Sequence, residues 1–366
     1  RRSPMPSVAE THSYVIGVDT HARNHVYAIV HAQTGAQVGQ PREFRATAAG
    51  YHAALVWIEE QVEGASWIAA IEGTGSYGKQ LTRTFQAAGV RVVEVHPAAK
   101  TARRGRGKTD AIDAVRAAKT VTGSDSTDLA QPRRGQMRDG LQVLLTVRRI
   151  ANKDRTARIN ALNAIVRMLG LISDTRRALT PAMIEQIAAG HVHADADPAV
   201  IASAVETAAR IIALDAELKV NDRRLREITA KWMPELLTVD GVGPVSAARI
   251  LCAWSHIGRF PHEGHFASMG GASPIPIGSG GSFTHRLNYG GDRQLNAALH
   301  TIMMTRARCD ERTKAYIAHR VAAGTGKRAI QRLLKRYIAR EIFKTCERST
   351  TTAETTTNTQ HRPTAA

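Results

Sequence analysis

Over the first 120 residues the apolar positions switch between the two-residue rhythm of strands and the three-to-four-residue rhythm of helices. YVIGVDTH (14–21) and HVYAIVHA (25–32) predict adjacent strands joined by a short turn, and REFRAT (42–47) a third. AAGYHAALVWIEEQV (48–62) has helical apolar spacing, and SWIAAIEG (66–73) predicts a buried strand. SYGKQLTRTFQAAG (76–89) predicts a helix closed by Gly89, RVVEVHP (91–97) a strand stopped by Pro97, and AIDAVRAAKTV a further helix. Three strands able to pair as a meander, then strand–helix alternation, predict an α/β unit over 12–125 with a mixed sheet and helices on its faces.

Between 135 and 233 the rhythm becomes that of long helices. Ile159, Leu162, Val166 and Leu169 follow a 3-4-3 step, as do Ile201, Ala204, Ala208 and Ile211, continued by Leu218, Leu225 and Trp232. Asp215 and Asp222 fall on the same seam, where they either weaken it or mark where it meets water. Two such helices, separated by a stretch containing Pro181 and Pro198, predict an antiparallel coiled-coil arm; a packed helical domain without an oligomeric role fits the same periodicity. From Pro234 a glycine-punctuated, mainly helical unit runs to 346, and the Thr-rich tail 347–366 has no apolar periodicity and is expected to be disordered.

Charge narrows the function. Fifty Lys and Arg against 32 Asp and Glu leave a formal +18, the balance of a protein that binds a polyanion, with nucleic acid first among them. No apolar run is long enough to span a bilayer, no isolated basic amphipathic segment suggests a membrane anchor, and RRSPMPSVAE lacks the apolar stretch of a signal peptide. Cys252, Cys309 and Cys346 are odd in number and scattered, which predicts reduced thiols and a cytoplasmic setting; the dispersed histidines offer no zinc spacing.

RRGRGKTDAIDA (103–114) contains Gly-Lys-Thr, yet the first glycine of a phosphate-binding loop would have to stand at Ala102. Gly326-Lys327 fails likewise, with Val321 and Arg328 at the wrong places. What the first stretch supplies is Asp110 and Asp113, which share one helix face. Asp19 ends the first strand and Glu72 ends SWIAAIEG, so a sheet would deliver both to one edge. Four converging carboxylates repel unless a hard cation such as Mg²⁺ relieves them. Each also has a plainer use: Asp19 in a turn, Glu72 or Asp110 capping a helix.

The order GVDTH, IEGTGSYG, then EVHP followed by RRGRGKTDAIDA closely resembles the DEDD transposases of insertion sequences, the IS-one-ten family, over about 14 to 345. The resemblance implies an RNase H-like, RuvC-like N-terminal domain in which Asp19, Glu72, Asp110 and Asp113 bind Mg²⁺, or Mn²⁺ in its place. Arg103, Arg104, Arg106 and Lys108 then meet nucleic-acid phosphates.

In SPIPIGSGGSFTHRLNYGGDRQLNAALH (273–300), Ser279 sits between glycines, with His285, Arg286 and Arg293 as candidate cations; taken by itself this is a flexible Gly/Ser loop. By resemblance, measured back from His285-Arg286-Leu287, the family's nucleophilic serine falls on Ser279, flanked by Ser273 and Ser282, with Gly278 where the family carries a further serine. The implied activity is Mg-dependent DNA strand cleavage and exchange, in a bacterial cytoplasm and at the nucleoid when on DNA. Its partners are donor and target DNA, a bridge RNA from the same element, and further protomers in a dimer or tetramer. Two rivals share parts of the pattern: a RuvC-like nuclease hydrolysing branched DNA, and a non-catalytic nucleic-acid-binding protein.

Two further features point to phosphate. LLTVDGVGPVSAARILCAW (236–254) has the turn of a helix-hairpin-helix, Gly241 and Gly243 freeing it so that the next helix's N-terminus can face a phosphate; a plain helix–helix turn is the alternative. Arg328, Arg332, Arg336, Arg340 and Lys344 recur at i+4 with no acid on their stripe.

Overall fold

The computed structural model describes residues 6–95, 109–126, 129–171, 178–192, 197–273, 275–279, 282–286 and 291–359; within 275–279, 282–286 and 349–359 only the backbone is described. They form two compact units, Arg1–Gly135 with Ala253–Ala366, and Gln136–Cys252.

The first unit is built on a five-stranded sheet of order β3-β2-β1-β4-β5, in which β1 (Tyr14–Thr20), β2 (Asn24–His31) and β3 (Gln37–Arg45) run antiparallel. β4 (Trp67–Glu72) and β5 (Val92–Val95) lie parallel to β1 on its other side, which completes an RNase H-like sheet. β3 starts five residues before the expected 42–47 strand; it is an edge strand of exposed and half-buried residues, so no apolar alternation announces it.

Helices cover both faces. After a single turn, α1 (Val8–Thr11), come α2 (Ala48–Val62) and α3 (Lys79–Ala87), which pack Tyr51, Trp57, Ile58, Leu81 and Phe85 onto Ile16, Val18, Tyr27, Ile29 and Ile71. On the other face α4 (Asp110–Thr122) packs Ala117, Ala118 and Val121 onto Val15, Val30, Ile68, Ala70 and Val93. Each fully buried Val or Ile here contributes about 2 kcal/mol. The small residues of α4 bring it unusually close: a β-carbon on Gly17 would stand 1.9 Å from the Ala114 carbonyl oxygen.

The second unit holds α5 (Gln136–Leu169), α6 (Pro181–Ala188), α7 (Pro198–Trp232), a 3-10 turn (Pro234–Thr238) and most of α8 (Pro244–Trp254). α5 and α7 are antiparallel, since Arg148 pairs with Asp222 at 3.0 Å while Arg155, further along α5, pairs with the earlier Asp215. The seam acids therefore meet arginines from the facing helix. Leu162 and Val166 pack with Ala204, Ala208 and Ile211, and α6 adds Ile184 and Ile187 to the same core.

At Ala253 the chain rejoins the sheet unit and continues through α9 (Glu263–Met269), β6 (Ile275–Ser279), β7 (Ser282–Arg286), α10 (Arg293–Cys309), α11 (Glu311–Ala322) and α12 (Lys327–Thr359). This return crosses the boundary expected at 234, and α12 runs on past 346 into the stretch expected to be a disordered tail. The return is anchored by Trp254, whose Nε1 donates to Glu347 Oε1 at 2.7 Å, and by Gln131, whose Nε2 donates to the Gly258 carbonyl at 3.1 Å.

Candidate active site

Register brings the acids together. β1 and β4 are parallel with Val18 opposite Ile71, so Asp19, the last residue but one of β1, and Glu72, the last of β4, come to the same edge. Both follow the parity of Val15, Gly17, Ile68 and Ala70 and so belong to the face covered by α4. The close seat of α4 over Gly17 carries its first turn, with Asp110 and Asp113, to that edge.

Thr109 is the N-cap of α4, its side chain accepting from the Ile112 N–H at 3.3 Å, so Asp110 is relieved of the capping role. Glu72 does not cap α3 either, whose N-cap is Gly78. Instead one ligand atom each from Asp19, His21 and Asp110 lies within 4.8 Å of the other two. His21 Nε2 is 3.1 Å from Asp19 Oδ2 and 3.4 Å from Asp110 Oδ1. His21 carries no sequence signal beyond its place two residues after Asp19, just past the end of β1.

Glu72 and Asp113 stand outside this three-residue group. Thr20 Oγ1 donates to the Glu72 carbonyl at 2.8 Å, tying the ends of β1 and β4, and Asp113 Oδ1 accepts from Arg116 Nη1 at 2.7 Å. Gly73, at φ +70°, turns the chain away where a β-carbon would meet Thr20 Oγ1 at 3.0 Å.

The electrostatics follow from this crowding. Burial pushes the Asp19 carboxyl above its ordinary pKa; His21 pulls it back, and Asp110 and Asp113 push it further up. A buried carboxylate facing two more, with an imidazole between, is a donor set that suits a hard divalent cation.

The serine stretch is a hairpin. β6 and β7 pair antiparallel from Ile275↔Arg286 to Ser279↔Ser282, putting Ser279 at the last rung before Gly280-Gly281. His285 pairs with Pro276, three rungs away, or about 10 Å along the strand. The two residues between the strands, like Arg103, Arg104, Arg106 and Lys108, lie outside the described residues, as do the side chains of Ser279, His285 and Arg286. Arg293 is exposed in the first turn of α10.

Gly241, at φ +77°, makes the turn ahead of α8 that the glycine pattern announced, and a β-carbon on Gly243 would meet nothing within 4 Å. On α12 the basic stripe does have an acid, supplied by α9: Arg336 grips Glu263 with two bonds of 2.8 and 3.0 Å, and Arg340 stands 3.8 Å from it. The hydrogen bonds from Arg336 hold the Glu263 carboxyl below its usual pKa. Arg328 is exposed and Arg332 half-buried.

Two family models match the chain. Residues 16–169 match DEDD_Tnp_IS110, described as a transposase, and residues 233–318 match Transposase IS116/IS110/IS902 family. The first span contains Asp19, Glu72, Asp110 and Asp113, the second Gly241, Gly243, Ser279 and Arg293. No curated protein matches it.

Proposed function

The chain belongs to the DEDD transposases of the IS110 family, enzymes of insertion sequences that act on DNA, and from that premise we propose that it breaks and rejoins DNA strands through Ser279 with divalent-metal assistance. The observation that carries the metal part is the meeting of Asp19 and Asp110 across His21 at the edge where Glu72 also ends.

Family membership implies a divalent metal; we assign Mg²⁺, with Mn²⁺ able to replace it, held by Asp19 and Asp110 with Glu72 and Asp113 alongside. When bound, the ion neutralises and polarises the scissile phosphate. The protein's part is to hold these carboxylates converged: β1 and β4 fix two of them by register, and α4 presents the other two from one turn. Ser279 Oγ bonds to the scissile phosphorus and gives its proton to water, while the strand's own ester oxygen breaks from that phosphorus and leaves as a hydroxyl after taking a proton from water. One phosphodiester is exchanged for another, so a second strand's hydroxyl can reverse the step without an outside energy source. The hairpin register supports this reading by setting Ser279 at the closing rung, next to Gly280-Gly281 in sequence.

The +18 charge fits long stretches of nucleic acid, donor and target DNA together with a bridge RNA from the same element. The exposed Arg328 and Arg293 and the N-terminus of α8 are contact points for phosphates. Strand exchange needs at least two active sites, hence a dimer or tetramer. The heptad seam is already used between α5 and α7, and the surface we assign to a second protomer is the flank of α5 with Val143, Val147 and Ile150, exposed at 62, 54 and 61%. Among the described residues no helix is long and apolar enough to cross a membrane. The setting we assign is the bacterial cytoplasm, on the nucleoid when DNA is bound.

Cleavage of labelled junction DNA, with Mg²⁺ and the element's RNA, tests this reading. Asp19→Asn and Ser279→Ala should each abolish cleavage. Cleavage that survives Ser279→Ala would leave the hydrolytic RuvC-like nuclease as the better account.

A further inference from the structure

Away from the acidic cluster, four charged side chains form a continuous set of ion pairs inside the sheet unit. Glu94 of β5 lies 3.4 Å from Arg133 Nε and 3.0 Å from Arg259 Nη1, and Arg133 Nη2 reaches on to Asp292 Oδ2 at 3.1 Å. The side chains are 15% exposed or less, and Arg259 is fully buried, donating also to the Ala253 carbonyl at 3.1 Å and to that of Gln131. Burying such a set strips every member of its hydration, and apolar packing of the same volume usually stabilises a fold as well or better. Stability alone is a weak reason for it.

What the network joins is more specific. β5 is parallel to β4 with Val95 opposite Glu72, so Glu94 sits one rung from the carboxylate edge. At the other end Asp292 is the N-cap of α10, the helix that follows the hairpin carrying Ser279. Asp292 divides its carboxylate: Oδ1 accepts from the Gln294 and Leu295 N–H groups at 2.8 and 3.0 Å, while Oδ2 faces Arg133. Just before it, Gly291 adopts φ +99° where a β-carbon would stand 2.3 Å from the Met269 carbonyl oxygen, and the Asp292 N–H donates to that same oxygen at 2.8 Å. The start of α10 is thus pinned on two sides.

We infer that Arg133 is a positioning residue for strand exchange, setting the start of α10, the helix that follows the serine hairpin in sequence, against the carboxylate edge through Asp292 and Glu94. The inference rests on the serine reading above. Asp292→Asn separates positioning from folding, because Asn caps a helix as well as Asp while losing the charge that faces Arg133.

The test uses the full chain with labelled junction DNA, the element's RNA and Mg²⁺. It compares wild type, Arg133→Gln, Arg133→Lys and Asp292→Asn, reading the rate of SDS-stable protein–DNA adduct together with the Mg²⁺-induced rise in melting temperature. Arg133→Gln and Asp292→Asn should slow adduct formation by about a hundredfold, the scale of a 1 Å misplacement. Arg133→Lys should recover part of the rate, and the Mg²⁺ response should stay at the wild-type value in all three. Wild-type adduct rates in both Arg133→Gln and Asp292→Asn would overturn the inference, as would a Mg²⁺ response lost in step with the rate. Should wild type cut DNA without any adduct, the serine reading fails by itself, and the cutting rates of the same variants then decide the role of Arg133.

Discussion

Gly17 of β1 lies directly under Ala114 of α4, so close that a β-carbon on Gly17 would stand 1.9 Å from the Ala114 carbonyl oxygen and 2.6 Å from the Ala118 nitrogen. Both neighbours are backbone, so nothing small can move aside. Gly17→Ala should lift α4 off the sheet, costing about 3 kcal/mol, and carry Asp110 and Asp113 away from Asp19. Urea unfolding should show the loss, and Mg²⁺ should no longer raise the melting temperature. An unchanged Mg²⁺ response would mean that the seat of α4 does not set the cluster.

Asp19 should cost the metal-free fold stability at neutral pH. Its pKa is raised by burial, so the stability linked to its protonation is complete below the ordinary Asp value and is lost as pH rises through the raised one. Asp19→Asn removes that charge. Without metal at pH 7 the variant should melt a few degrees above wild type, and with Mg²⁺ the order should reverse. Differential scanning calorimetry in EDTA and in Mg²⁺ checks both halves.

Acid should loosen the junction between the sheet and the returning chain. Burial, aided by Arg134 and Arg259, pushes the His256 pKa down from 6.5 to about 4. Its ring nitrogens lie 3.1 Å from Ser255 Oγ and 3.2 Å from Gln131 Oε1. A histidine held neutral by the fold favours folding fully above 6.5 and progressively less as pH falls towards 4. The melting temperature of wild type should fall over that interval more steeply than that of His256→Gln. Parallel curves would show that His256 carries none of the acid sensitivity.

The flank of α5 should govern association. Replacing exposed Val143, Val147 and Ile150 by Lys removes the apolar stripe without touching Leu141, Ala151 or Leu162, which are buried. Light scattering on the triple variant should give a smaller oligomer than wild type, with helix content by circular dichroism unchanged.

Much of this was legible in the chain because it is local. Strands β1, β2, β4 and β5 announce themselves by their apolar runs, and the places of Asp19 and Glu72 by the ends of two of those runs. What was not legible depends on pairings distant in sequence. Asp215 and Asp222 spoil a heptad until Arg155 and Arg148 face them from the other helix. Arg336 reads as free until Glu263 arrives from α9, 73 residues away. β3 has no apolar rhythm because every one of its residues is exposed or half-buried, so neither face demands apolar side chains. His21 was hidden for a different reason: an exposed turn histidine acquires meaning only when α4 brings Asp110 to it.

Covalent trapping tests the central claim most directly. Protein, the element's RNA and labelled junction DNA are incubated with Mg²⁺ and then denatured in SDS. The account requires a labelled protein–DNA band in wild type that disappears in both Ser279→Ala and Asp19→Asn. Cut DNA with no band, and cutting that persists in Ser279→Ala, would contradict it.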